Sequence, residues 1–154
     1  MKYLLFIALI ALSLTGCETK KGAFIESIET KNDIPTAIAQ LKKALPDKGL
    51  AYIERIDHAK RAKKSGIRLD PKVVVTFGNP VIGSKLMQCN PSIGLDLPLR
   101  ILFSSDYEGK VTIIYTNPEY WSLKHNMRDK TCLAIVRQAS SAMQALAKAA
   151  AKKE

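Results

Sequence analysis

The chain is short of the residues that usually announce chemistry. It has two histidines and three cysteines in 154 residues, and none stands in an HExxH, CxxC or CxxCH spacing. Zinc and covalent haem therefore have no local signature. No serine occupies a Gly-x-Ser-x-Gly elbow, so the best-marked route to a serine nucleophile is missing. There is no long Pro/Gly tract and no internal repeat, which sets aside low-complexity linkers and solenoids. The longest apolar run is shorter than the roughly 20 residues that span a bilayer comfortably.

That apolar run is nevertheless informative. Lys2 gives a short positive start, Tyr3 to Leu14 an apolar core, and Leu14-Thr15-Gly16-Cys17 a small-residue end with a cysteine. This is the order of parts in a secretory signal. The stretch resembles a bacterial lipobox, in which Cys17 is lipidated and becomes the first mature residue. The expected organisation is a signal peptide over 1–16, a polar tether over 17–22 and one domain over 23–154. Such a chain is held in the cell envelope by lipid at Cys17 and faces the periplasm or exterior. Inner and outer membranes are not distinguished.

Taking away residues 1–16 leaves 138 of the 154, enough to bury a core without staples. The formal net charge is +10. The basic residues Arg55, Lys60, Arg61, Lys63, Lys64, Arg68 and Lys72 crowd together, and Lys148, Lys152 and Lys153 form a second group. Such charge favours anionic headgroups or acidic partners, or simply a solvated face. Export argues against nucleic acid. With Cys17 spent on lipid, Cys89 and Cys132 remain as a disulfide candidate in an oxidising compartment. Two separate buried thiols are the alternative.

Strand-like and helical stretches alternate. Phe24, Ile25 and Ile28 begin a strand. Asn32 or Asp33 can cap a helix with apolar positions Ile34, Ala37, Ile38, Leu41 and Leu45, ending near Pro46 and Gly49. Leu50–Ile56 reads as a strand, Asp57 caps a short basic helix, and Gly66 stops it. Val73-Val74-Val75 suits a strand covered on both faces. Pro80 opens a helix through Met87 and Cys89. Leu95–Phe103 and Val111–Tyr115 read as strands joined through Asp106-Tyr107-Glu108-Gly109. A turn after Pro118 holds Tyr120, Trp121 and His125. Asp129 opens a long helix with an alanine-rich apolar face through Cys132, Val136, Ala139, Met143 and Leu146. The pattern indicates an α+β or mixed α/β domain.

Few residues offer chemistry. Gly78-Asn79-Pro80-Val81-Ile82-Gly83-Ser84-Lys85 nearly spells a phosphate loop, but Ser84 and Lys85 are transposed. A tuned turn is the plainer reading, with Gly78 and Asn79 taking backbone angles that other residues resist. His58 and His125 are candidate bases or metal ligands, with Met87, Cys89 and Met127 as soft companions. Asp96 lies among Leu95, Leu97, Pro98 and Leu99, so it must be paired or exposed at a bend, with Arg100 as the nearest partner.

From Ile56 to His125 the chain resembles the family called domain of unknown function 302. The resemblance rests on Ile56-Asp57-His58-Ala59, on Phe77-Gly78-Asn79-Pro80 with Gly83, Leu86 and Met87, on Pro91 with Gly94-Leu95-Asp96-Leu97-Pro98-Leu99-Arg100, and on Tyr115-Thr116-Asn117-Pro118 ahead of His125. Ser84-Lys85 and Ser104-Ser105 depart from the family pattern. The resemblance implies a compact α+β domain, with a curved, mainly antiparallel sheet gripped by helices and a long C-terminal helix. It implies no reaction and no cofactor. The expected role is a lipid-anchored binding or accessory domain for a small ligand or an envelope protein, with self-association open. Asp57, His58, Asn79, Met87, Asp96 and His125 are the candidate ligand-binding groups. The alternative is a metal- or haem-linked redox protein using His58, His125 or Met87.

Overall fold

A computed structural model describes residues 22–153. The expected signal peptide, Cys17 and most of the tether lie outside the described residues. Five strands form one antiparallel sheet in the order β1-β5-β4-β3-β2: β1 (Ile25–Thr30), β2 (Ala51–Asp57), β3 (Lys72–Gly78), β4 (Leu99–Ser105) and β5 (Val111–Thr116). The sheet is open, with β1 and β2 at its edges. The fold is α+β.

The core lies on one sheet face. Val73, Val75 and Phe77 of β3, Ile101 and Phe103 of β4, and Ile113 of β5 alternate onto it and are almost fully buried. Helices α1 (Ile34–Ala44) and α5 (Lys130–Ala151) close over that face and pack on each other. The alternate residues Val74, Leu102 and Ile114 are half-buried and stand outside the core. The triple valine is thus fully covered on one face, not on both. On that second face the buried Thr76 hydroxyl finds no hydrogen-bond partner.

Helix ends follow local chemistry. Asp33 caps α1, accepting from the Thr36 amide at 2.8 Å. Asn32, the other candidate cap, is buried instead. Its Nδ2 donates to the carbonyls of Ala150 and Lys152, at 3.3 and 2.9 Å, and satisfies the end of α5. Asp57 caps α2 (His58–Lys64) and Asp129 caps α5. Gly66 and Gly109 take positive φ, 73° and 83°, where side chains are resisted. The hydrophobic face of α5 is buried at Cys132, Val136, Met143 and Leu146.

One element departs from expectation. Residues 95–98 are not strand. Asn90 caps a 3-10 turn over Pro91–Leu95, a bend follows at Asp96, and β4 begins only at Leu99. Pro98 has no amide hydrogen to give a ladder, which keeps the strand from starting earlier.

Candidate functional site

Two features meet at the end of the sheet where β3 stops and β4 starts. One is a polar hub centred on Asp96. The other is an apolar cleft. The buried indole of Trp121, on α4 (Tyr120–Lys124), borders both.

Asp96 is mostly buried, and three side chains converge on its carboxylate. The Tyr120 hydroxyl donates to Oδ1 at 2.5 Å, the Lys124 ammonium to Oδ1 at 2.9 Å, and His125 Nε2–H to Oδ2 at 2.5 Å. Burial alone would push this carboxyl up. The hydrogen bonds from Tyr120, Lys124 and His125 and the Lys124 charge outweigh it and hold it below the usual carboxylate range. Burial first, and then the bond to Asp96, push the Tyr120 phenol up. The bond to Asp96 leads the causes that raise Lys124. Arg100, the expected partner of Asp96, lies exposed on β4 instead, with Thr76 as its β3 register partner.

His125 is only 3% exposed. Its Nδ1 lies 2.6 Å from Ser92 Oγ, which is 2.8 Å from Asn90 Oδ1. The Ser92 hydroxyl has one proton for those two neighbours. Asn90 Nδ2 donates to the His125 carbonyl at 2.7 Å, closing the circuit. Hydroxyl, imidazole and carboxylate thus stand in line, as in nucleophilic triads. The serine is tied to Asn90 through both its amide and its hydroxyl, and it lines none of the clefts described here. What the arrangement does is lock the 3-10 turn to α4.

The cleft measures about 530 Å³ and opens between α3 (Pro80–Cys89), the ends of β2 and β3, and the 94–99 segment. Ile53, Ile82, Leu86, Met87, Leu97 and Trp121 line it. Gly83 faces Leu97, with a Cβ at that position coming 3.5 Å from the leucine side chain. Asn79 borders the cleft as the cap of α3. It accepts from the Val81 and Ile82 amides and donates to the Gly49 carbonyl. The amides a phosphate would use are therefore taken, which disfavours the phosphate-loop reading. Asn79 has ordinary extended angles, φ −128° and ψ 115°, and Gly78 is not in the positive-φ region. The strained-turn expectation is corrected. A Cβ at Gly78 would make ordinary contacts with Pro98 and Ile53, at 3.7 and 3.8 Å.

The six candidate groups separate into three places. Asp96 and His125 are bonded to each other, and Asn79 and Met87 border the apolar cleft. Asp57 lines a different, basic cleft, and His58 is exposed at the start of α2. Asp57 pairs with Val73, at the end of β3 opposite Gly78. His58 and His125 thus lie toward opposite ends of the sheet and share no site. Cys89 is bonded to Cys132, with Cα atoms 6.1 Å apart, which removes it as a soft metal ligand. Among the described residues no group of three His, Cys, Asp or Glu side chains converges on a metal position. Asn90, Ser92, Tyr120 and Lys124 were not singled out from sequence. The i, i+4 spacing of Tyr120 and Lys124, one helix face ahead of His125, was the available signal.

Comparison with known proteins agrees with this architecture. The crystal structure of an uncharacterised conserved DUF302 protein from Bacillus stearothermophilus superposes with a TM-score of 0.74, covering 84% of this chain and 99% of that one at 16% identity. "Fluoride-specific ion channel FluC 1" of Brucella suis biovar 1 is 32% identical over 109 residues, 71% of this chain and 43% of that protein. The protein of that name in Brucella abortus biovar 1 is also 32% identical over 109 residues, 40% of its length. The chain therefore spans about two fifths of the curated relatives it matches. The family profile described as "Domain of unknown function DUF302" matches residues 26–151, nearly the whole described fold, and the chain belongs to that family.

Proposed function

We propose that the chain is a lipid-anchored envelope domain that binds a small, mainly apolar ligand in the cleft beside Trp121. The observation that carries this reading is the cleft. Its volume of about 530 Å³ falls in the range of roughly 300–1,000 Å³ common for small-molecule sites. Its lining is largely apolar, and Ile53 and Met87 remain exposed at 54% and 40%. The Asp96 hub braces the wall, since it fixes α4 and hence Trp121. The envelope address rests on the order of parts in residues 1–17 and is favoured by the Cys89–Cys132 bond, because disulfides persist outside the cytosol.

The Brucella relatives are named for a membrane channel. Among the described residues here, no helix is long and apolar enough to cross a membrane. The stretch shared with those proteins is assigned in this proposal to a role at the membrane surface.

The test uses the chain's single tryptophan. An apolar fluorescent probe such as N-phenylnaphthylamine should bind saturably and quench Trp121. Gly83→Leu should abolish binding by filling the cleft. Replacing a helix-interior glycine removes a cost of about 0.8–1 kcal/mol relative to alanine, and a thermal melt checks that the variant is folded. Unchanged probe binding in a folded Gly83→Leu protein refutes the cleft as the site. For the anchor, mass spectrometry of the mature N-terminus should find lipid on Cys17, and Cys17→Ala should either stall the precursor or leave a domain that high salt washes from membranes.

A further inference from the structure

A second cleft, of about 700 Å³, lies at the opposite end of the sheet between α2, the start of α1 and the β2–β3 edge. Buried Ile34 and Val73 lie among its lining, and Ile67 and Leu69 also border it. Its rim carries Arg55, Lys60, Lys63 and Arg68. Ile67 is 61% exposed and Leu69 43%, on either side of Arg68. Between Arg55 and Lys72 there are seven lysines and arginines against two carboxylates, Asp57 and Asp70. Asp57 is already occupied, capping α2 and lying 3.7 Å from Arg55. Lys72 is tied to the Ser105 carbonyl.

We infer that this face docks on an anionic membrane surface. A solvated basic face needs only charge. Here two large apolar side chains project beside the cations, and that pairing is what the boundary between headgroups and acyl chains accepts. Charge complementarity selects the partner, since anionic lipid attracts each nearby lysine or arginine. The inference depends neither on the occupant of the Trp121 cleft nor on lipid at Cys17.

The test uses residues 18–154, which keep every strand and helix of the described fold but lack Cys17. The Bacillus stearothermophilus protein, matched over 99% of its length, is a domain of this fold on its own. Co-sedimentation with vesicles rich in phosphatidylglycerol should show binding that falls as salt rises, with little binding to pure phosphatidylcholine. Lys60→Glu/Lys63→Glu/Arg68→Glu should lower the affinity by at least about 100-fold, the effect of losing three cations alone. Lys85→Glu/Lys130→Glu/Arg137→Glu makes the same charge change on α3 and the first half of α5, the elements joined by Cys89–Cys132 and away from this face, and should have a much smaller effect. Ile67→Ser/Leu69→Ser, which leaves charge unaltered, should also weaken binding. A thermal melt of each variant checks that it is folded. Equal losses from the two charge-reversal sets would mean unspecific attraction and overturn the inference. So would full binding by the Ile67/Leu69 variant, or no binding to anionic vesicles. Displacement by millimolar inorganic phosphate at fixed ionic strength would reassign the face to a free anion.

Discussion

Replacing Asp96 should separate the worth of its charge from the worth of its shape. Asp96→Asn keeps an oxygen for Tyr120 and Lys124 but sets an amide NH₂ against His125 Nε2, where a carboxylate oxygen accepted. His125 can answer by moving its proton to Nδ1 and donating to Ser92, whose hydroxyl then points to Asn90. The hub stays connected, with charge-assisted bonds exchanged for neutral ones. Hydrogen bonds to charged groups contribute about 1.5–3 kcal/mol and neutral ones about 0.5–1.5, so the loss should be about 2 kcal/mol. Asp96→Ala leaves the Tyr120 hydroxyl and an imidazole only 2% exposed without their acceptor, and should cost roughly 3–4 kcal/mol. Urea unfolding followed by Trp121 emission gives these values at neutral pH. The pH dependence fixes the cause. The folded carboxyl is held below its usual range. Its contribution is therefore complete above the unfolded value near ~3.9 and is lost as pH falls through the lower folded value. The gap between the parent and Asp96→Asn should close in that acid window, while part of the Asp96→Ala gap persists. A gap absent at pH 7, or constant down to pH 2.5, would refute the assignment of Asp96 as the charged centre of the hub.

Three other substitutions probe the scaffold. Val136→Asp buries a charge on α5, where Val136 is 2% exposed, and should cost several kcal/mol; an unchanged cooperative melt would mean that α5 is peripheral. Replacing Cys89 and Cys132 by serine opens a loop 43 residues long and should lower stability by up to roughly 4 kcal/mol. Reducing agent should have the same effect on the parent and none on the double variant. Thr76→Val removes a buried hydroxyl without a partner while keeping the shape, and should be neutral or raise stability by up to about 1 kcal/mol. A clear drop in melting temperature would show that the hydroxyl is satisfied.

Much of the fold was legible because its signals are local. Asp33, Asp57 and Asp129 cap helices from the positions where a cap is expected, and the apolar spacing of α1 and α5 matches the faces they bury. The site was less legible because its contacts join distant positions. Asp96 could be recognised as a carboxylate needing partners, but the nearest cation, Arg100, was the wrong one: strand alternation sends it to the exposed face. His58 and His125 look alike in local context, and only the strand register places them at opposite ends. The correct partners of Asp96 nevertheless follow from one feature already visible in the chain, the β4–β5 hairpin turning through 106–109. Its pairs run from Ser105 with Val111 to Leu102 with Ile114. Extending that register past both strand ends sets position 96 opposite position 120. The side chains found there are Asp96 and Tyr120, with Lys124 and His125 one helical turn further along. Reading 95–98 as strand hid this, because a strand leaves no bend at which a carboxylate can turn toward the returning chain. Pro98 was the residue that argued for the bend, by denying the ladder a donor.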